Sequence, residues 1–332
     1  MALRQASMAY TAIEYERVEL KEPEDYVQSA ALPLRLEWMN FPVECSHPLI
    51  HEGKCLVCER AIDDDQSLPF GFLHPSLRLS YEYADQMREV STTTALGLKK
   101  LNLVPDLDLT LLHTVRLSNL TPEEEEQLKP EAERNAEGAP GRQGDVFLVG
   151  SETDHVYITK LRPFVRESLR EAHEMFELTV YTMGGSVYSS RMTKLLDPNR
   201  IYFSDRVIIR EDCTIRGRES LDMVLAKESN IVITDDTETV WPDHADNLIA
   251  IEPFYFFSHG NKKRHPQASF GHKGEHDTVL VTTLQVLNES HRRYFDTKLG
   301  IEGGDERWLV PQVQSRVHKT YDDQASPPRD AL

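Results

Sequence analysis

From Leu98 onward, short apolar runs of strand length alternate with longer stretches of helical period, and that alternation leaves few folds open. LNLV at 101–104, HVYIT at 155–159, LTVYT at 178–182, IVIT at 231–234 and LIAI at 248–251 read as strands. The segments between them predict helices at 164–176, started by Pro163, over the stretch that ends at Leu196 before Asp197-Pro198, and at about 219–226. Strands joined by helical crossovers form a parallel sheet, so the fold class is α/β with a Rossmann-like strand order. Leu280, Leu284, Leu287 and Tyr294 recur at helical spacing within 277–296 and predict a closing helix on that core.

The 332 residues suffice for one such core and a small satellite. The expected division is a loosely ordered lead-in at 1–40, a Cys/His-containing module at 41–90, a catalytic domain at 91–260, and a C-terminal helix and tail at 261–332. An acidic insertion is expected at about 117–145. Between 121 and 140 it carries seven Glu against one Lys and one Arg, the composition of a solvated helix and loop. The formal charge of −18 disfavours direct contact with a nucleic-acid backbone. No apolar run reaches the ~18 residues needed to span a bilayer, and Met1 to Arg17 lacks the apolar centre of a secretion signal, so an intracellular setting without membrane is expected.

Asp106-Leu107-Asp108-Leu109-Thr110 follows the LNLV strand, at the carboxyl end where open α/β sheets place their ligands. Two carboxylates at i and i+2 can divide the work of nucleophile and proton carrier; taken alone, the five residues read more readily as a capped turn after a strand. Support comes downstream. Thr182 closes LTVYT with a hydroxyl suited to a phosphoryl oxygen, and Asp235-Asp236 close IVIT with a second carboxylate pair. Magnesium takes oxygen ligands, and Asp106, the Asp108 carbonyl and Asp236 form a suitable set, with Asp235 supporting it.

DLDLTLLHT, KLRPFV, VYTMG, SRMTKLLDPNRIYFSDRVI, SLDMVL and ITDDTETVWPDHADNLI, in that order, closely resemble the RNA polymerase II C-terminal-domain phosphatases, particularly the plant members, within the haloacid dehalogenase-like superfamily. The likeness runs from about residue 44 to 298. It implies a haloacid dehalogenase-like fold with the acidic insertion after its first strand. It also implies a nuclear protein-serine/threonine phosphatase acting on the phosphorylated heptad-repeat tail of the polymerase in transcription regulation, with transcription factors as further partners. By the same likeness Asp106 attacks phosphorus to give an aspartyl-phosphate, and Asp108 protonates the leaving serine and then activates water. Thr182 holds the phosphoryl oxygens, and magnesium at Asp106, Asp108, Asp235 and Asp236 offsets their charge. Thr110 becomes an expected substrate contact, and Arg162 of LRP is expected to contact substrate or to brace the site, a surface ion pair being its plain reading.

The chain departs from that family's pattern at four places. Glu219 stands where relatives carry the lysine before SLD, which reverses a charge beside the intermediate; Arg218 is the expected substitute cation, with Arg216 close by. Pro105 lacks the N–H of a central strand, so pairing is expected to end by Val104. Leu109 replaces a frequent histidine, and Gly185-Ser186 replaces a Thr-Arg pair. Reduced activity is expected from Glu219 and Pro105, and the alternative is a silent protein that binds the phosphorylated tail.

Cys45-x-His47 and Cys55-x-x-Cys58 offer three thiolates and an imidazole, the ligand types of a structural zinc site. Reduced, partly buried thiols are the other reading, and His51 is a spare ligand. Cys213 stands alone. Lys262-Lys263-Arg264 is a weak nuclear-import run.

Overall fold

The computed structural model describes residues 45–74, 76–136, 144–150, 156–214, 217–259, 277–296 and Val310. The expected lead-in at 1–40, Arg216, the basic run at 262–264 and the tail after 310 lie outside the described residues. An antiparallel sheet comes first, built from β1 (Leu49–His51), β2 (Lys54–Cys55), β3 (Ser67–Pro69) and β4 (Leu77–Ser80) in the order β2-β1-β4-β3. Ser80 then caps α1 (Tyr81–Gly97), its hydroxyl accepting the Tyr83 N–H at 3.3 Å.

The wholly buried β5 (Leu101–Pro105) opens the central sheet. A side layer follows: β6 (Leu112–Arg116), α2 (Pro122–Arg134), β7 (Val146–Val149) and β8 (Tyr157–Leu161), with the strands antiparallel in the order β6-β8-β7. Residues 157–159 of the expected HVYIT strand therefore belong to this side layer rather than to the parallel sheet, and His155 lies outside the described residues. The acidic run is helical because Thr121 and Glu124 form a reciprocal capping box around Pro122. That helix is not solvated all round. Glu124 is fully buried, and its carboxylate accepts the N–H groups of Thr121 and Ser258 at 2.8 and 2.7 Å.

In the same layer buried His113 accepts the N–H groups of Phe256 and Phe257 on Nδ1, at 3.0 and 3.2 Å. Burial pushes its pKa down from 6.5 to about 4. A folded pKa below the unfolded one means that the unfolded chain takes the proton first. The stability is therefore present above about pH 6.5 and lost as pH falls toward 4, by about 3 kcal/mol at most. Urea melts across that range should show this loss in the wild type and a flatter profile in His113→Gln, whose amide oxygen still accepts; an identical slope in both would remove His113 as its source.

Then come α3 (Val165–Met175), β9 (Phe176–Leu178), β10 (Val180–Tyr181), α4 (Ser186–Leu196), β11 (Val207–Ile208), β12 (Ile231–Asp235), β13 (Leu248–Ala250) and α5 (Val279–Phe295). The parallel sheet has the order β13-β12-β5-β9. LTVYT is broken at Thr179, beyond which β10 pairs with β11 in parallel. The chain thus leaves β5 toward β9 on one side and returns through β12 on the other. That reversal of strand order opens a crevice at the carboxyl ends of β5 and β12. The expected helix at 219–226 reduces to a single 3₁₀ turn at Leu221–Met223, because Leu221, Met223, Val224, Leu225 and Ala226 are all buried and leave no polar face.

Pro105 corrects a second expectation, since the strand runs through it, with Pro105 opposite Thr234 and the Asp106 N–H donating to the Thr234 carbonyl at 3.0 Å. Strand residues turn their N–H groups alternately to either neighbour, and Leu103, two residues back, faces β9. The position of the missing proline donor faces that same side, where β9 pairing has already ended at Leu103 opposite Leu178. No ladder bond is lost.

Alternate residues of the sheet enter two cores. Leu101, Leu103, Val180 and Val232 pack under α3, α4 and α5 with Leu169, Met192 and Leu287. Val104, Tyr181, Ile231 and Ile233 pack on the other face with Trp241 and with Leu49, Leu68, Phe70, Leu77 and Leu79 from the antiparallel sheet. No helix among the described residues is long and apolar enough to cross a membrane.

Candidate active site

The loop after β5 closes tightly. Leu111 and Leu112 donate to the Leu107 carbonyl, Leu109 donates to Leu112 at 2.7 Å, and Leu109 itself takes φ 64°, a conformation most side chains resist. What holds it there is Arg162, of which 1% is exposed. Its Nη1 donates to the carbonyls of Leu109 and Thr110 at 3.3 and 3.1 Å, and Nη2 donates to Glu252 at 2.7 Å. Nε and Nη2 bridge both oxygens of Asp277, just before α5. Every N–H of the guanidinium is occupied, so of the two roles expected for Arg162 the contacts favour the brace of the loop over the substrate contact. Thr110 is also buried, its hydroxyl without a hydrogen-bond partner among the described residues, which places it inside the loop rather than against a substrate.

Asp106 is buried at the crevice, and its carboxylate, with those of Asp235 and Asp236, offers oxygens within 4.8 Å of one another. Hard oxygen donors at that spacing fit a divalent cation such as magnesium. Asp235 is already engaged: it accepts the Thr237 N–H at 2.7 Å and the Trp241 indole N–H at 2.8 Å, which suits support of Asp106 and Asp236 more than direct ligation. The Asp108 carboxylate lies outside the set. Tyr188 donates to its Oδ1 at 2.5 Å, and with the carboxylate outside the set the backbone carbonyl is the atom of Asp108 expected to face a cation.

Tyr188 is the residue that the sequence reading missed. It sits in α4, six residues beyond the Thr182 strand end, and the ring fits because of Gly184, where a Cβ would come within 2.7 Å of it. Burial holds the Asp108 carboxyl up while the Tyr188 bond draws it down. Tyr188→Phe removes the second effect. We expect kcat to fall about tenfold and the acid limb of the pH–rate profile to move up, as a less ionised Asp108 demands. Gly184→Ala should reproduce both changes; a kcat loss with an unmoved limb would mean that Tyr188 serves packing alone. Thr182 is buried at the end of β10, its Oγ1 accepting the Gly184 N–H at 3.1 Å, which leaves its own hydrogen to donate.

Glu219 is 4% exposed and engages Asp235, with Oε2 unpartnered among the described residues. Burial first, then the charges of Asp235 and Asp236, push its pKa up to about 8. Burial and the charges of Asp235, Asp108 and Glu219 likewise hold Asp106 well above the usual carboxylate range. Arg218 is exposed and does not fill the cation's place beside these acids, contrary to expectation. Four crowded carboxyls make a site that calls for positive charge. The Cys45, His47, Cys55 and Cys58 group is also brought together, with ligand atoms within 4.8 Å, whereas His51 turns to His74.

Residues 101–293 match the family of NLI interacting factor-like phosphatases. The chain is similar to RNA polymerase II C-terminal domain phosphatase-like 4 of Arabidopsis thaliana, 39% identical over 83% of this chain and 63% of that protein. It is similar to RNA polymerase II C-terminal domain phosphatase-like 3 of the same plant, 33% identical over 66% of this chain and 18% of that one. It therefore spans less than two thirds of these curated relatives. In fold it resembles the solved structure of Fcp1, an essential RNA polymerase II CTD phosphatase, at TM-score 0.53 and 22% identity, covering 68% of this chain and 73% of the other.

Proposed function

The chain belongs to the family of NLI interacting factor-like phosphatases, and from that premise we propose that it dephosphorylates serine or threonine in the heptad-repeat tail of RNA polymerase II. The observation that carries the reading is the convergence of Asp106, Asp235 and Asp236 where the strand order reverses, with Asp108 steered by Tyr188 beside them. Asp106 is the nucleophile and takes the phosphoryl group. Asp108, whose carboxyl burial holds above its ordinary range, gives a proton to the departing hydroxyl and then accepts one from water. Thr182 donates to a phosphoryl oxygen, and Arg162 fixes the loop that aims both aspartates. Magnesium, held by Asp106, Asp236 and the Asp108 carbonyl with Asp235 behind them, supplies charge neutralisation when bound. The substrate implies a nuclear protein in transcription regulation, with transcription factors as further partners.

Glu219 favours a second reading, a protein that binds the phosphorylated tail with little turnover, since a neutral acid stands where a cation would hold the phosphoryl group. Incubation with a heptad phosphopeptide separates the two. Magnesium-dependent phosphate release with a hydroxylamine-labile phosphoenzyme supports the phosphatase; peptide binding with neither supports the second.

Metal dependence has its own readout in stability. The raised pKa of Glu219 means that its contribution is fully present below 4.5 and lost as pH rises to about 8, so crowding weakens the fold at neutral pH and above. Magnesium at ~100 times its Kd should return about 2.7 kcal/mol, more at pH ~8 than at pH ~5.5, where protons compete for the same oxygens. A melting temperature unmoved by magnesium at either pH would count against a cation at these acids.

A further inference from the structure

We propose that Cys45, His47, Cys55 and Cys58 hold one structural zinc ion, and that this ion fixes the corner of the antiparallel sheet covering the second face of the catalytic core. The Sγ atoms of Cys45 and Cys55 are 3.7 Å apart, and Cys58 Sγ is 3.2 Å from His47 Nδ1. Thiolates at ~2.3 Å from a tetrahedral zinc stand ~3.8 Å from each other, so a metal fits between these atoms with little movement. A disulfide does not: all the cysteines are free, and two bonded sulfurs would lie at ~2.05 Å.

The backbone is arranged for thiolates as well. Cys55 Sγ accepts the N–H of Val57 at 3.4 Å, two residues on. Cys45 and Cys58 repeat the pattern with the N–H groups of His47 and Arg60. Three sulfurs each receiving the amide two residues later is an outer-shell arrangement that spreads thiolate charge around a metal. Glu59, between Cys58 and Arg60, takes φ 60°, which turns the Arg60 amide toward the Cys58 sulfur, and the ligand His47 itself takes φ 48°. A thiol that merely packs does not require that strain.

The local core gives the reason for a metal. β1 and β2 span three and two residues, and Ile50, Cys55 and Ile62 are the buried residues beneath them, with Cys45 partly buried alongside. So short a hairpin needs a staple. Four protein ligands close the coordination shell, which makes the site structural rather than catalytic. Beyond the corner, β1, β3 and β4 place Leu49, Leu68, Leu77 and Leu79 against Trp241, whose indole supports Asp235. The inference does not depend on the phosphatase reading.

The test uses the full chain expressed with zinc supplied, metal analysis by mass spectrometry, and cobalt exchange. One zinc per chain is expected, with a cobalt–thiolate charge-transfer band after exchange and a lower melting temperature once a strong chelator removes the metal. Cys58→Ser, at an exposed ligand, should weaken zinc retention at least ~10-fold. His47→Cys should retain the ion and shift the cobalt bands, which keeps the test decisive if Cys58→Ser fails to fold. A folded wild type without zinc or a cobalt–thiolate band would overturn the proposal, as would Cys58→Ser or His47→Cys binding cobalt with the wild-type spectrum.

Discussion

Asp106→Asn is expected to remove at least four decades of turnover, about 5 kcal/mol of transition-state stabilisation, while leaving the fold at least as stable as the wild type. An amide oxygen is a poor nucleophile toward phosphorus, and the neighbouring carboxylates of Asp235 and Asp108 are already engaged. Asp235 is engaged by Thr237, Trp241 and Glu219, and Asp108 by Tyr188. The hydroxylamine-labile phosphoenzyme should disappear with the turnover. Stability should move the other way, because Asp106 is a buried carboxyl held above its ordinary range by burial and by three like-charged neighbours, and a neutral isostere ends that repulsion. Parallel turnover and melting measurements decide the point. Turnover within tenfold of wild type would place the nucleophile elsewhere, and a collapse in melting temperature would make the loss one of folding.

The strands at 101, 231 and 248 were legible because burial on both faces of a parallel sheet imposes apolar runs, and the acids were legible because such sheets place chemistry at strand ends. Other features depend on tertiary contacts that no local pattern carries. Leu221 to Ala226 resemble a helix by composition, yet all their apolar side chains enter one core and the chain stays extended around a single turn. Pro105 looked like a strand end because local rules cannot say which neighbour its missing donor would face. Arg162 could not be assigned between substrate contact and brace because its partners Glu252 and Asp277 lie 90 and 115 residues away. Tyr188 could have been found by asking which hydroxyl an early turn of the helix after Thr182 presents to the strand ends. The buried Glu124 in an acidic run carried no such signal, since its partner Ser258 is 134 residues distant.

Glu219→Lys is expected to raise kcat by two to three decades at pH ~7, and the size of that gain follows from the protonation of the residue it replaces. A carboxyl with its pKa pushed up to about 8 is largely neutral at that pH, so the wild-type site lacks an attraction without suffering full repulsion. One cation at ~5 Å with an effective dielectric near ~20 is worth about 3 kcal/mol to a phosphoryl group gaining charge. Glu219→Gln separates the two effects. It should match the wild type at pH ~7, where both side chains are neutral, and should not share the wild type's fall in activity as pH rises through about 8, where Glu219 acquires its charge. Lysine among Asp106, Asp235 and Asp236 should also raise the melting temperature by relieving their repulsion. A Glu219→Lys variant with no gain in kcat, but with the melting temperature raised, would mean that the cation stabilises the carboxylates and not the phosphoryl group. Catalytic charge would then have to come from the metal side of the site, and Glu219 would cease to argue for a silent protein.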